Sequence, residues 1–310
     1  MPEFVIAAQI RLAWDPNTER NLAGYEVYYG TAPWSFGEPI KLRKVTGFTL
    51  SGLVKGQTYY IAVTAYNWGK LESWFSNQVS GIAHDVLYGK WVFDISGSDK
   101  GGAVLRFEDN QNTFRGYGIT NQLGFFAVEG TYNIVEDEII LGTYQMYDFH
   151  DPGYVLGSGN ISGEVGIKGT TVALELDGLS LHMKGSVFIE DPYKPQYPAV
   201  PEDWTLHITR GIKGDVDPLK IEPYPVSGEV YSHLFDFSGS GVTTNLEPID
   251  LTGVFLLTPK NKVYGVYELS KTLSDTGYFS GSFNRNLKRF NVKSVSDNGN
   301  RYTFTGQVKP

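Results

Sequence analysis

Phe114–Tyr144 reads FRGYGITNQLGFFAVEGTYNIVEDEIILGTY, and Phe237–Tyr267 reads FSGSGVTTNLEPIDLTGVFLLTPKNKVYGVY, the same length at a spacing of 123 residues and without a gap. Phe114, Gly116, Gly118, Thr120, Leu123, Gly130, Gly142 and Tyr144 meet identical residues in Phe237, Gly239, Gly241, Thr243, Leu246, Gly253, Gly265 and Tyr267. Between them Ile119 faces Val242, Tyr132 faces Phe255, Ile134 faces Leu257 and Ile140 faces Val263. The chain is an internal duplication. Its recurring residues are glycines and alternating apolar side chains, the needs of a tightly curved sheet, and none is an obvious catalyst.

The ends of the two units also correspond. Trp91-Val92-Phe93-Asp94-Ile95-Ser96 pairs with Trp204-Thr205-Leu206-His207-Ile208-Thr209, and Leu181–Val187 with Tyr302–Val308. Each copy therefore spans about 100 to 110 residues and opens on a Trp-bearing strand, too long a period for a propeller blade or solenoid turn. In the first copy alternation predicts strands near 90–96, 102–107, 113–119, 125–134, 138–146, 155–162, 171–177 and 181–187. Eight consecutive short strands with hairpin turns fit an antiparallel up-and-down meander, and closing it into a barrel removes its edges. The proline-bearing stretch 190–203, with Pro192, Pro195, Pro198 and Pro201, reads as a stiff linker that holds the pair in fixed relation. Large residues at inward positions (Phe93, Phe114, Tyr132, Tyr144) favour filled barrels; a hollow, lipocalin-like barrel carrying a small apolar ligand is the alternative.

With 20 Tyr, 18 Phe and 36 Gly and no long amphipathic helical stretch, the 310-residue chain is expected to be all-β and to hold three domains, at 1–85, 86–190 and 191–310. The absence of cysteine excludes disulfides, thiolate metal sites and cysteine nucleophiles. The net charge of −8 sits in one place: residues 1–85 carry 7 basic and 7 acidic side chains, 86–190 carry 6 and 14, and 191–310 carry 13 and 13. Such a balance disfavours nucleic acid as a partner and suits a basic protein or a cation. No apolar run reaches the roughly 20 residues of a transmembrane helix. The start, Met1-Pro2-Glu3-Phe4, lacks a basic n-region and a long hydrophobic h-region, so the chain reads as a soluble one, either cytosolic or a mature form with its signal removed; the functional reading favours a secreted or cell-surface protein.

The amino-terminal stretch alternates as a sandwich does: Ile10, Leu12 and Trp14; then Tyr25, Val27 and Tyr29; then Tyr59, Ile61, Val63 and Ala65 on one face, with Tyr60, Ala62 and Thr64 on the other. Leu12-Ala13-Trp14-Asp15, Gly24-Tyr25-Glu26-Val27-Tyr28-Tyr29-Gly30 and Leu53-Val54-Lys55-Gly56-Gln57-Thr58-Tyr59 resemble the fibronectin type III family, over about residues 3–83 and in the form found in bacterial extracellular proteins. Lys55 stands where that family usually has Pro. The resemblance implies a β-sandwich in which Trp14 packs between the sheets and Tyr59 forms a hydrogen-bonded corner. It implies no chemistry, because such modules serve as spacers and as binders alike. Aromatic residues outside the core pattern are the candidate binding residues: Trp34, Phe36, Trp68 and Trp74, with Phe75 beside them. Packing against the first barrel is the plainer expectation for Trp34 and Phe36.

Five histidines (His84, His150, His182, His207, His233) form no zincin spacing, and neither a Gly-x-Ser-x-Gly elbow nor a Gly-Lys-Ser/Thr phosphate loop occurs. Asp148, His150 and Asp151 make the one dense polar cluster, a weak candidate for a divalent cation beside the ordinary turn chemistry of Asp151-Pro152-Gly153; it lies in an insertion that the second copy lacks. Glu136-Asp137-Glu138 faces Pro259-Lys260-Asn261 and reads as a solvated turn rather than a glycosidase carboxylate pair. Asp297-Asn298-Gly299-Asn300 reads as a type I′ hairpin. Together these point to a non-enzymatic, extracellular or cell-surface protein of bacterial type working by adhesion or assembly with a protein or a glycan, without a cofactor. A carrier of an apolar ligand is the second reading, and a polysaccharide hydrolase using Asp148 and Asp151 a remote third.

Overall fold

The structure, a computed structural model, describes residues 8–135, 139–166, 171–188, 200–226, 229–271 and 273–309. It is all-β: among the described residues the one helical element is a 3-10 turn at Asp177–Leu179. Of the expected linker, Pro192, Pro195 and Pro198 lie outside the described residues, as does the Glu136-Asp137-Glu138 turn.

The first unit has two antiparallel sheets around one core. Strand β1 (Ala8–Ala13) pairs with β4 (Gly47–Leu53), and β3 (Ile40–Leu42), β2 (Leu22–Gly30), β5 (Thr58–Asn67) and β6 (Val79–Ile82) form a second sheet in that order. Leu12, Val27, Leu50, Leu53, Tyr59 and Ile61 meet between them, with Trp14 and Tyr29 at the margin. The alternation read from β5 holds, since Tyr59, Ile61 and Val63 face this core.

The duplicated region forms two closed eight-stranded antiparallel barrels. The first comprises β7 (Gly89–Gly97), β8 (Gly101–Glu108), β9 (Thr113–Thr120), β10 (Gly124–Val135), β11 (Ile139–Asp148), β12 (Val155–Val165), β13 (Thr171–Leu176) and β14 (Leu181–Phe188), closed by pairing of β14 with β7. The second comprises β15 (Asp203–Arg210), β16 (Gly214–Val226), β17 (Glu229–Thr243), β18 (Pro248–Leu257), β19 (Lys262–Lys271), β20 (Asp275–Phe283), β21 (Arg289–Ser296) and β22 (Arg301–Val308), closed by β22 on β15. Each is a simple meander, as the alternation predicts.

The repeated glycines explain the register. Gly130 pairs with Phe114 and Gly253 with Phe237, and a Cβ at either glycine would lie 2.7 or 2.5 Å from the paired ring. Each aromatic ring therefore lies across a neighbouring strand where a side chain is missing, which lets the sheet curl while the interior stays filled. The opening tryptophans are equivalent as well. Both are fully buried, with Trp91 Nε1 donating to Leu87 O at 2.7 Å and Trp204 Nε1 to Pro201 O at 2.5 Å.

Interiors are filled in both copies. Phe93, Phe107, Phe114, Phe126, Tyr132 and Tyr144 pack inside the first. The second retains a void of about 30 Å³ lined by apolar residues such as Leu251, Phe255 and Phe304. That holds about one water, against the roughly 300 Å³ or more of a small-molecule site. One turn differs from expectation. Gly299 N–H donates to Ser296 O at 2.9 Å and Gly299 alone in that turn has a positive φ (80°), so this is a longer turn closed by a glycine and not type I′. Asn298 and Asn300 are drawn to Asp275, at 3.0 and 2.9 Å, which fixes the longer loop.

The barrels pack side against side. Outward residues of β7–β10 (Val92, Val104, Tyr117, Ile119, Phe125) form a ridge that meets Leu234, Val254 and Leu256 of the second barrel, with Val266 and Tyr278 alongside. Phe149, in the insertion private to the first copy, stacks on Phe125 at 3.8 Å and meets Tyr224 edge-on at 5.9 Å. Asp94 accepts from Lys262 Nζ and Tyr264 Oη, both at 2.9 Å. Burial, then that bond to Asp94, pushes the Tyr264 phenol well above its ordinary range.

Candidate functional site

Trp34, Phe36 and Phe75 come together with Tyr28 on the outer face of the four-stranded sheet. Tyr28 points outward from β2, opposite the core-facing Val27 and Tyr29. Phe75 meets Tyr28 edge-on at 4.9 Å and Phe36 at 5.5 Å, while Trp34 meets Phe36 at 6.0 Å and Phe75 at 6.3 Å. Two local devices present these rings. In the turn Ala32-Pro33-Trp34-Ser35, Ser35 N–H returns to Ala32 O at 3.2 Å and Trp34 holds a φ of 54°. That corner is ordinarily left to Gly or Asn, and a bulky residue there costs about 1–3 kcal/mol. Beyond β5, Ser73 N–H donates to Ala65 O and Ser76 N–H to Val63 O, so three steps of chain oppose two and form a bulge. The bulge carries Trp74, 94% exposed, and Phe75.

Polar contacts hold the patch from beneath. Glu72 accepts from Tyr28 Oη at 2.8 Å and Thr64 Oγ1 at 2.5 Å, and Glu26 pairs with Lys41 at 2.8 Å. Burial, reinforced by Glu72 and Glu26, pushes the Tyr28 hydroxyl up, so it stays a protonated donor.

Trp34 and Phe36 thus do not serve as packing against the first barrel: Trp34 is 60% exposed and its ring contacts are within its own unit. The barrel is met elsewhere. Arg11 donates to Val86 O at 2.6 Å and Tyr88 O at 2.7 Å and lies over the Trp91 ring, and Lys55 reaches Asp109 O at 2.9 Å and Asp85 at 3.5 Å. Tyr132 crosses from the barrel interior to Asp85 at 3.1 Å, and His84 faces Asp109 at 3.1 Å. Burial lowers the Arg11 guanidinium to about 10, with Asp85 opposing, so it remains charged at neutral pH.

Trp68 belongs to a separate place. Leu22 pairs with Asn67 and Gly30 with Tyr60, so the turns bearing Trp68 and Trp34 lie at opposite ends of β2. Trp68 is 71% exposed, beside the exposed Leu71 and under Lys44 Nζ at 5.4 Å. Tyr28 and Leu71 were not singled out by sequence reasoning. The alternation signal for Tyr28 was present, but outer-face residues of a sandwich are expected to be polar.

Asp148, His150 and Asp151 do not converge as a ligand set. Asp148 Oδ1 accepts from the amides of His150 and Asp151, both at 2.9 Å, and Asp151 Oδ1 from Gly153 N–H at 3.1 Å, while the His150 ring turns to Phe125. Turn chemistry occupies these carboxylates, and among the described residues no group of three or more His, Asp or Glu is placed to hold a metal. Nor, among them, is any helix long and apolar enough to cross a membrane.

No protein-family model matches the chain, and no curated protein matches it. Among solved structures, a redesigned β-barrel, mFAP1, bound to DFHBI is 14% identical with a TM-score of 0.30, covering 35% of this chain and 94% of its own. Transferrin Binding Protein B of Haemophilus parasuis is 7% identical with a TM-score of 0.23, over 97% of this chain and 100% of that one. A hemagglutinin of Myxococcus xanthus in complex with a mannopentaose is 11% identical with a TM-score of 0.16, over 76% and 96%.

Proposed function

We propose that this chain is a non-enzymatic, extracellular or cell-surface binding protein whose amino-terminal unit docks a protein partner through Tyr28, Trp34, Phe36, Trp74 and Phe75. The observation that carries the reading is the Trp34 turn, which holds a bulky aromatic in a left-handed conformation and leaves it exposed beside three other rings. Aromatic side chains grouped at a surface are the usual anchors of protein interfaces, and a contiguous exposed apolar patch marks an interaction site.

We read the same unit as a sandwich of the fibronectin type III kind. Support comes from the sheet order β3-β2-β5-β6 facing β1-β4, and from Val54 N–H donating to Tyr59 Oη at 3.2 Å, the hydrogen-bonded corner that the resemblance implies. A carrier of an apolar ligand has less to stand on, because the void in the second barrel is a tenth of what such a ligand needs. A hydrolase using Asp148 and Asp151 is opposed by the backbone amides that hold both.

The test is adsorption of the labelled full chain to a panel of extracellular-matrix proteins and bacterial envelope proteins, beside a Trp34→Ala/Phe75→Ala variant. Binding to at least one panel member, weakened tenfold or more in the variant, is expected. Equal binding by the two proteins, or binding to none of the panel, overturns the assignment.

A further inference from the structure

The duplication allows a comparison of the two barrels face by face. On the second barrel the outward row Asp236–Val254–Val266–Tyr278 crosses β17–β20, and Val254, Val266 and Tyr278 receive the ridge of the first barrel. The equivalent row on the first barrel is Thr113–Thr131–Thr143–Asn160, crossing β9–β12. Beside it runs Arg115–Glu129–Gln145–Ser158, across the same four strands. The same glycines bend both sheets, and between its two rows the first barrel carries a trough open to solvent, as the second barrel does beside the ridge. Its apolar residues are replaced by hydroxyls and an amide.

We infer that this trough on the first barrel binds a neutral oligosaccharide laid across β9–β12. Four features select that ligand. Hydroxyl, amide, guanidinium and carboxylate groups alternate as donors and acceptors, which suits a hydroxyl-rich chain. Arg115 and Glu129 are directly opposite and offset one another, and the lining Glu108 is paired with Arg106 at 2.6 Å, so the charges at the trough are locally matched. Among the lining residues no exposed aromatic or aliphatic side chain offers the anchor a protein interface needs. Neighbouring strands lie about 4.8 Å apart, close to the length of one sugar unit in an extended chain, so each strand addresses one unit.

The groups are also held in place. Thr131 and Thr143 hydroxyls bond at 3.1 Å, Tyr147 Oη donates to Gln145 Oε1 at 2.8 Å, and Asn160 Nδ2 donates to Asp177 at 2.9 Å. Side chains already ordered lose little freedom on binding.

Isothermal titration of the full chain with neutral β-glucan, mannan, chitin and α-glucan oligosaccharides of two to seven units tests this. At least one series should bind, with affinity rising up to about four units and then levelling. Thr131→Val/Thr143→Val should weaken it tenfold or more, and the fold should tolerate that change because Val254 and Val266 occupy the same positions in the second copy. The Trp34→Ala/Phe75→Ala variant should bind these sugars normally, which separates this site from the aromatic patch. Binding by no series, unchanged binding in the threonine variant, loss in the aromatic variant alone, or self-association of the chain through this face each overturns it.

Discussion

Asp236 sits directly across the strand pair from Glu222, a like-charge placement that costs about 0.2–1 kcal/mol. Burial raises its carboxyl above the ordinary 3.8, Glu222 raises it further, and His150 of the first barrel opposes them. A raised folded-state value means that the native protein holds this proton more tightly than the unfolded chain does. The contribution to stability is therefore full below 3.8 and is lost as pH rises through the raised value. Asp236→Asn should accordingly stabilise the protein at pH 8, by a few tenths of a kcal/mol after solvent screening, and the gain should vanish near pH 4. Urea unfolding at the two pH values measures this; a variant less stable than the parent at pH 8 would show that the carboxylate makes a favourable contact instead.

At the scale of elements, Gly102 of β8 lies directly against the second barrel. A Cβ there would lie 2.6 Å from the Tyr264 ring and 2.8 Å from Leu256, both of the other barrel. Gly102→Trp should wedge the barrels apart while leaving each interior intact, because the position faces outward. Small-angle scattering should report a longer particle, and Tyr264 should lose its contact with Asp94; an unchanged scattering profile would refute the wedge. The strands themselves were legible in the sequence, since alternation and the glycine register survive any packing between units. The packing was not read, although its signal was there: Val92, Tyr117 and Phe125 are apolar at outward positions where the second copy has Thr205, Ser240 and Pro248. One copy alone reads as strands buried on both faces, and only the difference between copies says which face meets a neighbour. The private insertion carried the same message, its Phe149 being an interface residue while the metal reading followed the adjacent carboxylates.

Across the whole molecule, the first unit is fixed to the first barrel mainly by Arg11, Lys55 and the segment from Ala83 to Tyr88. Arg11→Ala removes two hydrogen bonds to carbonyls and the cation over Trp91, and leaves those carbonyls poorly satisfied. Limited proteolysis should then cleave within 83–88 at least several-fold faster, with both barrels surviving as a resistant fragment; parental cleavage rates would place the attachment elsewhere. The two barrels join through different faces, β7–β10 of the first against β17–β20 of the second, a heterologous contact. Such a contact leaves the counterpart face of each barrel outside the joint. Here the counterpart of the contact row on the first barrel presents Thr131, Thr143 and Asn160, and the counterpart of the ridge on the second presents Thr205, Ser240 and Pro248 beside the exposed Val242, so both are more polar than the faces that are joined. The duplication thus joins two copies through one pair of faces, while the counterpart faces have turned more polar.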